Sequence, residues 1–356
     1  MSKPAFLITI DTEGDYLWGA PRPMTTRNVH YLPRFQALCE RYGLRPTWLT
    51  DYEMACDPCY QTFARTVLER DAGEVGMHLH AWNSPPLHHT LTDEDARHHT
   101  YLMEYPEGVM REKIGHLTHL LESLLGCKML SHRAGRWGFD ATYARLLVEQ
   151  GYRVDCSVTP HLSWQQALGD PQGQGGSDYR NFPEQPYYMD LTAIHRAGDS
   201  PLLQVPVSIR KTPFFALRQQ LQRLEEAMPA PIKKGRILRW PFRIAYRLLP
   251  EIHWLRPNGR NRNGMRAVLH AIQQAGEPCA EFMLHSSELM PGGSPTFATE
   301  AAIDRLYADL ELLFASVADH FQGQTLAEFS ATFRKRAEEP GSGHACGERM
   351  PRHADV

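Results

Sequence analysis

Residues 6–14 read Phe6-Leu-Ile-Thr-Ile-Asp11-Thr-Glu13-Gly14. The first five form a short apolar, β-branched run, the pattern of a strand buried on both faces. The last four place two carboxylates where such a strand would end. Side chains of an extended segment alternate, so Asp11 and Glu13 point the same way. In parallel α/β folds the C-terminal strand edge is where sites are built. Two acids side by side repel unless a cation or an arginine offsets them.

Working outward, strands and helices alternate. Leu32–Tyr42 reads as a helix ended by Gly43, and Arg45-Pro-Thr-Trp-Leu49 as a second strand. Gln61–Arg70 reads as a helix, and Glu74–His80 as a strand running into a loop. Glu107–Leu125 reads as a helix stopped by Gly126. Met129–His132, Ala141–Gln150 and Tyr152–Ser157 read as strand, helix and strand. Leu202–Ile209 and Ala280–His285 read as later strands, and Thr299–His320 as a long amphipathic helix. This alternation predicts βαβ units and a parallel sheet. Residues 159–200 read as a long loop over the site, with Trp164, Tyr179, Tyr187 and Tyr188 as aromatic faces for a sugar. The polar tail, 337–356, is expected to be disordered.

The 356 residues carry 38 Lys+Arg against 41 Asp+Glu, a formal net charge of −3. That balance argues against a globally basic nucleic-acid binder. No apolar run approaches the ~20 residues that span a bilayer, and the N-terminus lacks a signal-peptide apolar region. A cytoplasmic protein is expected. Seven cysteines, an odd number irregularly spaced, argue for free thiols. Nine of the 18 histidines lie between His78 and His132.

Three further stretches carry groups suited to chemistry. In Gly76-Met-His78-Leu-His80-Ala-Trp82 the two imidazoles share a face. Alone, they read as one packed and one exposed histidine. With an acid from Asp11/Glu13 they make a three-ligand set suited to zinc, with a position open for water. In His132-Arg133-Ala-Gly-Arg-Trp137 an arginine at a strand exit can hold a carboxylate by charged hydrogen bonds. In Glu281-Phe-Met-Leu284-His285-Ser-Ser-Glu288 a buried strand ends in a histidine able to act as general acid.

Taken in order, these stretches resemble the motifs of the NodB-homology polysaccharide deacetylases, and are similar to the WalW-type branch found with surface-polysaccharide genes. Tyr152-Arg-Val-Asp155-Cys-Ser-Val158 resembles the family's Asp-Ser-Ser-Val segment. The resemblance spans about Phe6 to His320. It implies a distorted (β/α) barrel of about seven parallel strands over residues 1–336. It also implies metal-dependent removal of an acetyl or other N-acyl group from a sugar or glycan, with a divalent metal, zinc by ligand type. By that resemblance Asp11 would be general base, Glu13 and His78 metal ligands, Arg133 the group orienting Asp11, and His285 general acid. Trp137 would wall the pocket, with Trp82 and Asp155 beside the substrate. The family has adjacent aspartates where this chain has Asp-Thr-Glu, and a histidine where it has Trp82. His80 would then complete the ligands, and an exchange of roles between Asp11 and Glu13 stays open. A metal amidohydrolase acting on a small non-sugar amide, or a catalytically silent glycan-binding protein, would share these features.

One segment falls outside the motifs. Lys233–Arg266, covering an insertion at about 231–265, holds ten Lys/Arg against Glu251 alone, with tryptophans interleaved. It suits an anionic membrane surface, which would make the protein peripheral at the inner membrane, or a pyrophosphate-linked sugar. A solvated helix pair is the plainer reading.

Overall fold

The computed structural model describes residues 3–15, 24–92, 94–167, 169–227 and 249–338. Its centre is a curled sheet in the order β10-β1-β2-β3-β4-β5-β7-β6. The strands are β1 Ala5–Thr12, β2 Pro46–Thr50, β3 Glu74–Leu79, β4 Ser131–Ala134, β5 Val154–Asp155, β6 Tyr187–Tyr188, β7 Leu203–Gln204 and β10 Cys279–His285. The seven from β10 to β7 pair in parallel, as the alternation predicts; β6 joins antiparallel. Strand β11, Gln322–Gln324, pairs with the first half of β1 on the side where β2 takes the second half. A separate hairpin joins β8, Ile209–Lys211, to β9, Ile252–Trp254.

The ring is completed by single hydrogen bonds rather than a ladder. Val207 N–H donates to Val158 O (3.0 Å), and Ser208 N–H to Glu281 O (3.2 Å). The expected strand over Leu202–Ile209 is therefore two short strands, because its middle bridges from the β5 exit to β10. The fourth strand starts two residues later than expected, and the fifth pairs over Val154–Asp155 alone.

Strand alternation sorts the side chains into layers. Phe6, Ile8 and Ile10 of β1 face outward and pack under the helices with Phe35, Trp48, Phe282 and Phe314. Ala5 and Leu7 face inward and meet Leu49, Val154, Leu203 and Cys279. Leu326 and Phe329 plug that end of the barrel. They belong to a C-terminal helix, Leu326–Glu338, that the sequence reading did not anticipate; the tail beyond it lies outside the described residues. Above the apolar layer come inward Thr9, Glu281 and Arg133, all buried. Higher still come Asp11, His78 and His285.

Helix ends follow local chemistry. Gly126 closes Glu107–Leu125 in a left-handed conformation (φ 69°), and Thr299 caps Glu300–His320 by accepting from Ala302 N–H. The six described cysteines are free. Among the described residues no helix is long and apolar enough to cross a membrane. Residues 228–248, which include the first part of the basic segment, lie outside the described residues. Its end forms β9 and the helix Arg262–Ala275. Trp254, partly buried, packs 6.1 Å from Trp137.

Candidate active site

Register brings the site together. Asp11 on β1 stands level with His285 on β10, and His78 on β3 level with Arg133 on β4. All strands here run the same way, so their C-terminal ends share one rim.

Asp11 is buried, and its Oδ1 accepts from Arg133 Nη1 at 2.5 Å. Glu13 follows the strand directly. Its N–H donates to Ser286 Oγ (3.1 Å) and its carbonyl accepts from Asn28 Nδ2 (2.8 Å), which fixes the turn. Glu13 Oε2 lies 3.0 Å from His80 Nε2 and 3.4 Å from His78 Nε2. His285 Nε2 lies 3.6 Å from Asp11 Oδ2 and 4.0 Å from Glu13 Oε1. His78 Nδ1 faces Arg133 O at 3.0 Å, so it carries the proton and leaves the Nε2 lone pair to the site.

Burial works against charge on these carboxyls, yet both stay below their ordinary range. For Asp11 the guanidinium of Arg133 outweighs burial, helped by His78 and His285. For Glu13, burial is overcome by the charge of His285 and by the close approach of His78 and His80. Burial pulls His80 down, whereas the carboxylates lift His78 despite its burial.

Glu13, His78 and His80 each offer one atom, all within 4.8 Å of one another. An ionised carboxylate oxygen and two imidazole nitrogens are the donors a borderline divalent ion takes. The residues therefore fit a metal. It is His80, and no residue at position 82, that stands beside Glu13 and His78.

The groups face a cavity of about 300 Å³, walled by Tyr101, Arg136, Trp137, Trp164 and Arg256. Arg136 and Trp137 both take left-handed backbone angles (φ 51° and 61°), which for non-glycine residues costs on the order of 1 kcal/mol each. Tyr179 Oη donates to Trp137 O (2.5 Å), and the Trp137 indole lies over the Arg133 guanidinium, 5.1 Å from it.

Some expectations need correcting. Trp82 is buried and is not among the cavity-lining residues. Asp155 is fully buried below the rim, where it takes hydrogen bonds from His132 Nδ1 (2.7 Å) and Ser157 N–H (2.9 Å); it braces β4 against β5 and is not among the cavity-lining residues. Of the four loop aromatics only Trp164 lines the cavity. Tyr179 and Tyr187 are buried, and Tyr188 packs on Phe333.

Three functional neighbours escaped the sequence reading. Glu281 joins Asp11 on Arg133, accepting from Nη2 at 2.7 Å. Glu288 Oε2 lies 3.1 Å from His285 Nδ1. Arg256, from the end of the basic segment, lies 3.1 Å from the same nitrogen and 3.2 Å from Glu288. A glutamate inside the apolar strand Ala280–Leu284 was a visible signal; nothing local marks Arg256.

No family model and no curated protein matches the sequence. Solved structures do resemble the fold. A protein from Parabacteroides distasonis assigned as a glycoside hydrolase/deacetylase aligns with a TM-score of 0.58 at 13% identity, over 94% of this chain and 72% of its own. One from Mycobacterium smegmatis assigned as a polysaccharide deacetylase aligns at 0.53 and 17% identity, over 100% and 96%. At such identities the likeness concerns the fold: the chain has the polysaccharide-deacetylase barrel. Function has to come from the site.

Proposed function

We propose that the protein is a metal-dependent hydrolase that removes an acetyl or other N-acyl group from a sugar or glycan intermediate. The observation that supports this most is the convergence of Glu13, His78 and His80 beside Asp11 and His285 at one rim.

Glu13, His78 and His80 would hold a divalent ion, zinc by donor type, which when bound supplies Lewis acidity and acidifies water. Asp11 accepts the proton of the attacking water. Arg133 keeps Asp11 ionised and aimed. His285 delivers a proton from Nε2 to the departing nitrogen, while Glu288 holds its Nδ1. Trp137, Trp164 and Tyr101 offer apolar faces to a pyranose ring. The names given to the two structural relatives favour a sugar over a small non-sugar amide. Arg256 at the cavity wall is suited to an anionic sugar carrier such as a pyrophosphate.

The test is His285→Ala. Turnover of an N-acetylated sugar should fall roughly 10²–10⁴-fold while bound metal is unchanged. Equal loss of metal would make His285 a ligand. Metal-loaded wild-type protein inactive on every N-acylated sugar tried would favour the silent binder.

A further inference from the structure

A second cluster lies on the segment that carries Tyr101 to the cavity wall. Asp95 is only 2% exposed. Its Oδ1 lies 2.7 Å from His89 Nε2 and 2.7 Å from His99 Nδ1. Its Oδ2 accepts from Thr92 N–H (2.6 Å) and Thr92 Oγ1 (2.9 Å). The two imidazoles stand edge to face, 5.6 Å apart between centroids, with about half of each side chain exposed. The three donor atoms all lie within 4.8 Å of one another.

We propose that His89, Asp95 and His99 form a second, peripheral binding site for a borderline divalent ion of the zinc, nickel or copper type, which staples the 89–99 segment. The donor types match that class. The carboxylate is held in place by Thr92 through the oxygen the ion does not need, which is how outer partners orient a ligand. Asp95 and His99 are spaced i, i+4 at a short helix, Asp95–His98, so they share a face. The half-exposed imidazoles give an ion a path in and leave its remaining positions to water. Binding replaces the two imidazole–carboxylate hydrogen bonds by bonds to the ion, and each neutral imidazole then carries its proton on the ring nitrogen that faces away from it.

The site touches the reaction only through the wall. Arg136, which lines the cavity, donates from Nη2 to Ala96 O at 3.3 Å. Tyr101 lies two residues beyond His99. The neighbouring histidines face other acids, His88 with Glu112 (3.7 Å) and His98 with Glu94 (3.5 Å), so positions 89 and 99 can be tested alone.

The experiment titrates chelator-stripped protein with Zn²⁺ against a chromophoric chelator. Wild type should take up two equivalents, and His89→Ala/His99→Ala one. His80→Ala should keep the equivalent that the double variant loses. If wild type takes up a single equivalent that vanishes in the double variant, this site stands and the metal reading of the first site fails. If the double variant takes up as much zinc as wild type, the proposal is overturned. As a check independent of variants, zinc should slow amide hydrogen exchange over 89–101 in wild type; no slowing at saturating zinc also overturns it.

Discussion

Arg133 answers two buried carboxylates with one charge. Nη1 donates to Asp11, Nη2 to Glu281 and Thr9, and Nε to Cys156 O. One of the two acids has to give way, and it is Glu281. Burial, with Asp11 adding repulsion, pushes its carboxyl up to about 7 from an ordinary 4.5, although Arg133 and Thr9 oppose this. Asp11 stays low and ionised, as a base must be. In the unfolded chain Glu281 releases its proton near 4.5, whereas the folded protein holds it until about 7. Stability contributed at this residue is therefore full below 4.5 and falls as pH rises toward 7, by at most on the order of 3 kcal/mol. Glu281→Gln, which cannot ionise, should remove that decline. Urea unfolding of both proteins at pH 4.5 and pH 8 should show the variant gaining on wild type at the higher pH. An equal difference at both values would contradict the assignment. The local pattern offered only an arginine at a strand exit able to hold some carboxylate, and the family resemblance implied that the carboxylate was Asp11. Neither could show the competition, since Glu281 lies 148 residues away.

Among the elements, the exits of β3 and β4 pass close to one another. A Cβ at Gly135 would sit 2.5 Å from Leu79 O and 2.9 Å from His80 Nδ1, so this glycine is what lets the loop after β4 pass over the second imidazole. Gly135→Ala should displace His80 and weaken zinc binding at the first site roughly 10–100-fold, the scale set by losing a ligand's support. Competition with a chelator measures this, and unchanged affinity would contradict it. Strand-level features were the most legible in sequence, because a period of two is written in neighbours: Asp11 with Glu13, and His78 with His80. The 159–200 loop was not. Tyr179 and Tyr187 look like Trp164 in sequence, and only packing decides that two are buried and one lines the cavity. The described end of the basic segment shows the same limit. Charge described its composition, while Trp254 and Arg256 are placed by β9 against Trp137 and His285.

For the molecule as a whole, direction and layering make the site. Seven parallel strands present their C-terminal ends on one rim. Inside them an apolar layer closed by Leu326 and Phe329 supports the Arg133 layer, which supports the acids and imidazoles. The apolar plug keeps water from Arg133 and so strengthens its hold on Asp11. This order explains why motifs spread from residue 11 to residue 285 act at one point. A crystal structure of zinc-loaded protein, with anomalous data at the zinc edge, tests it most directly. The account predicts an ion bonded to Glu13, His78 and His80 at about 2.0–2.2 Å, with Asp11 and His285 beside it but unbonded. An ion bound there by a set lacking Glu13, or no ion between these three residues at saturating zinc, would contradict it.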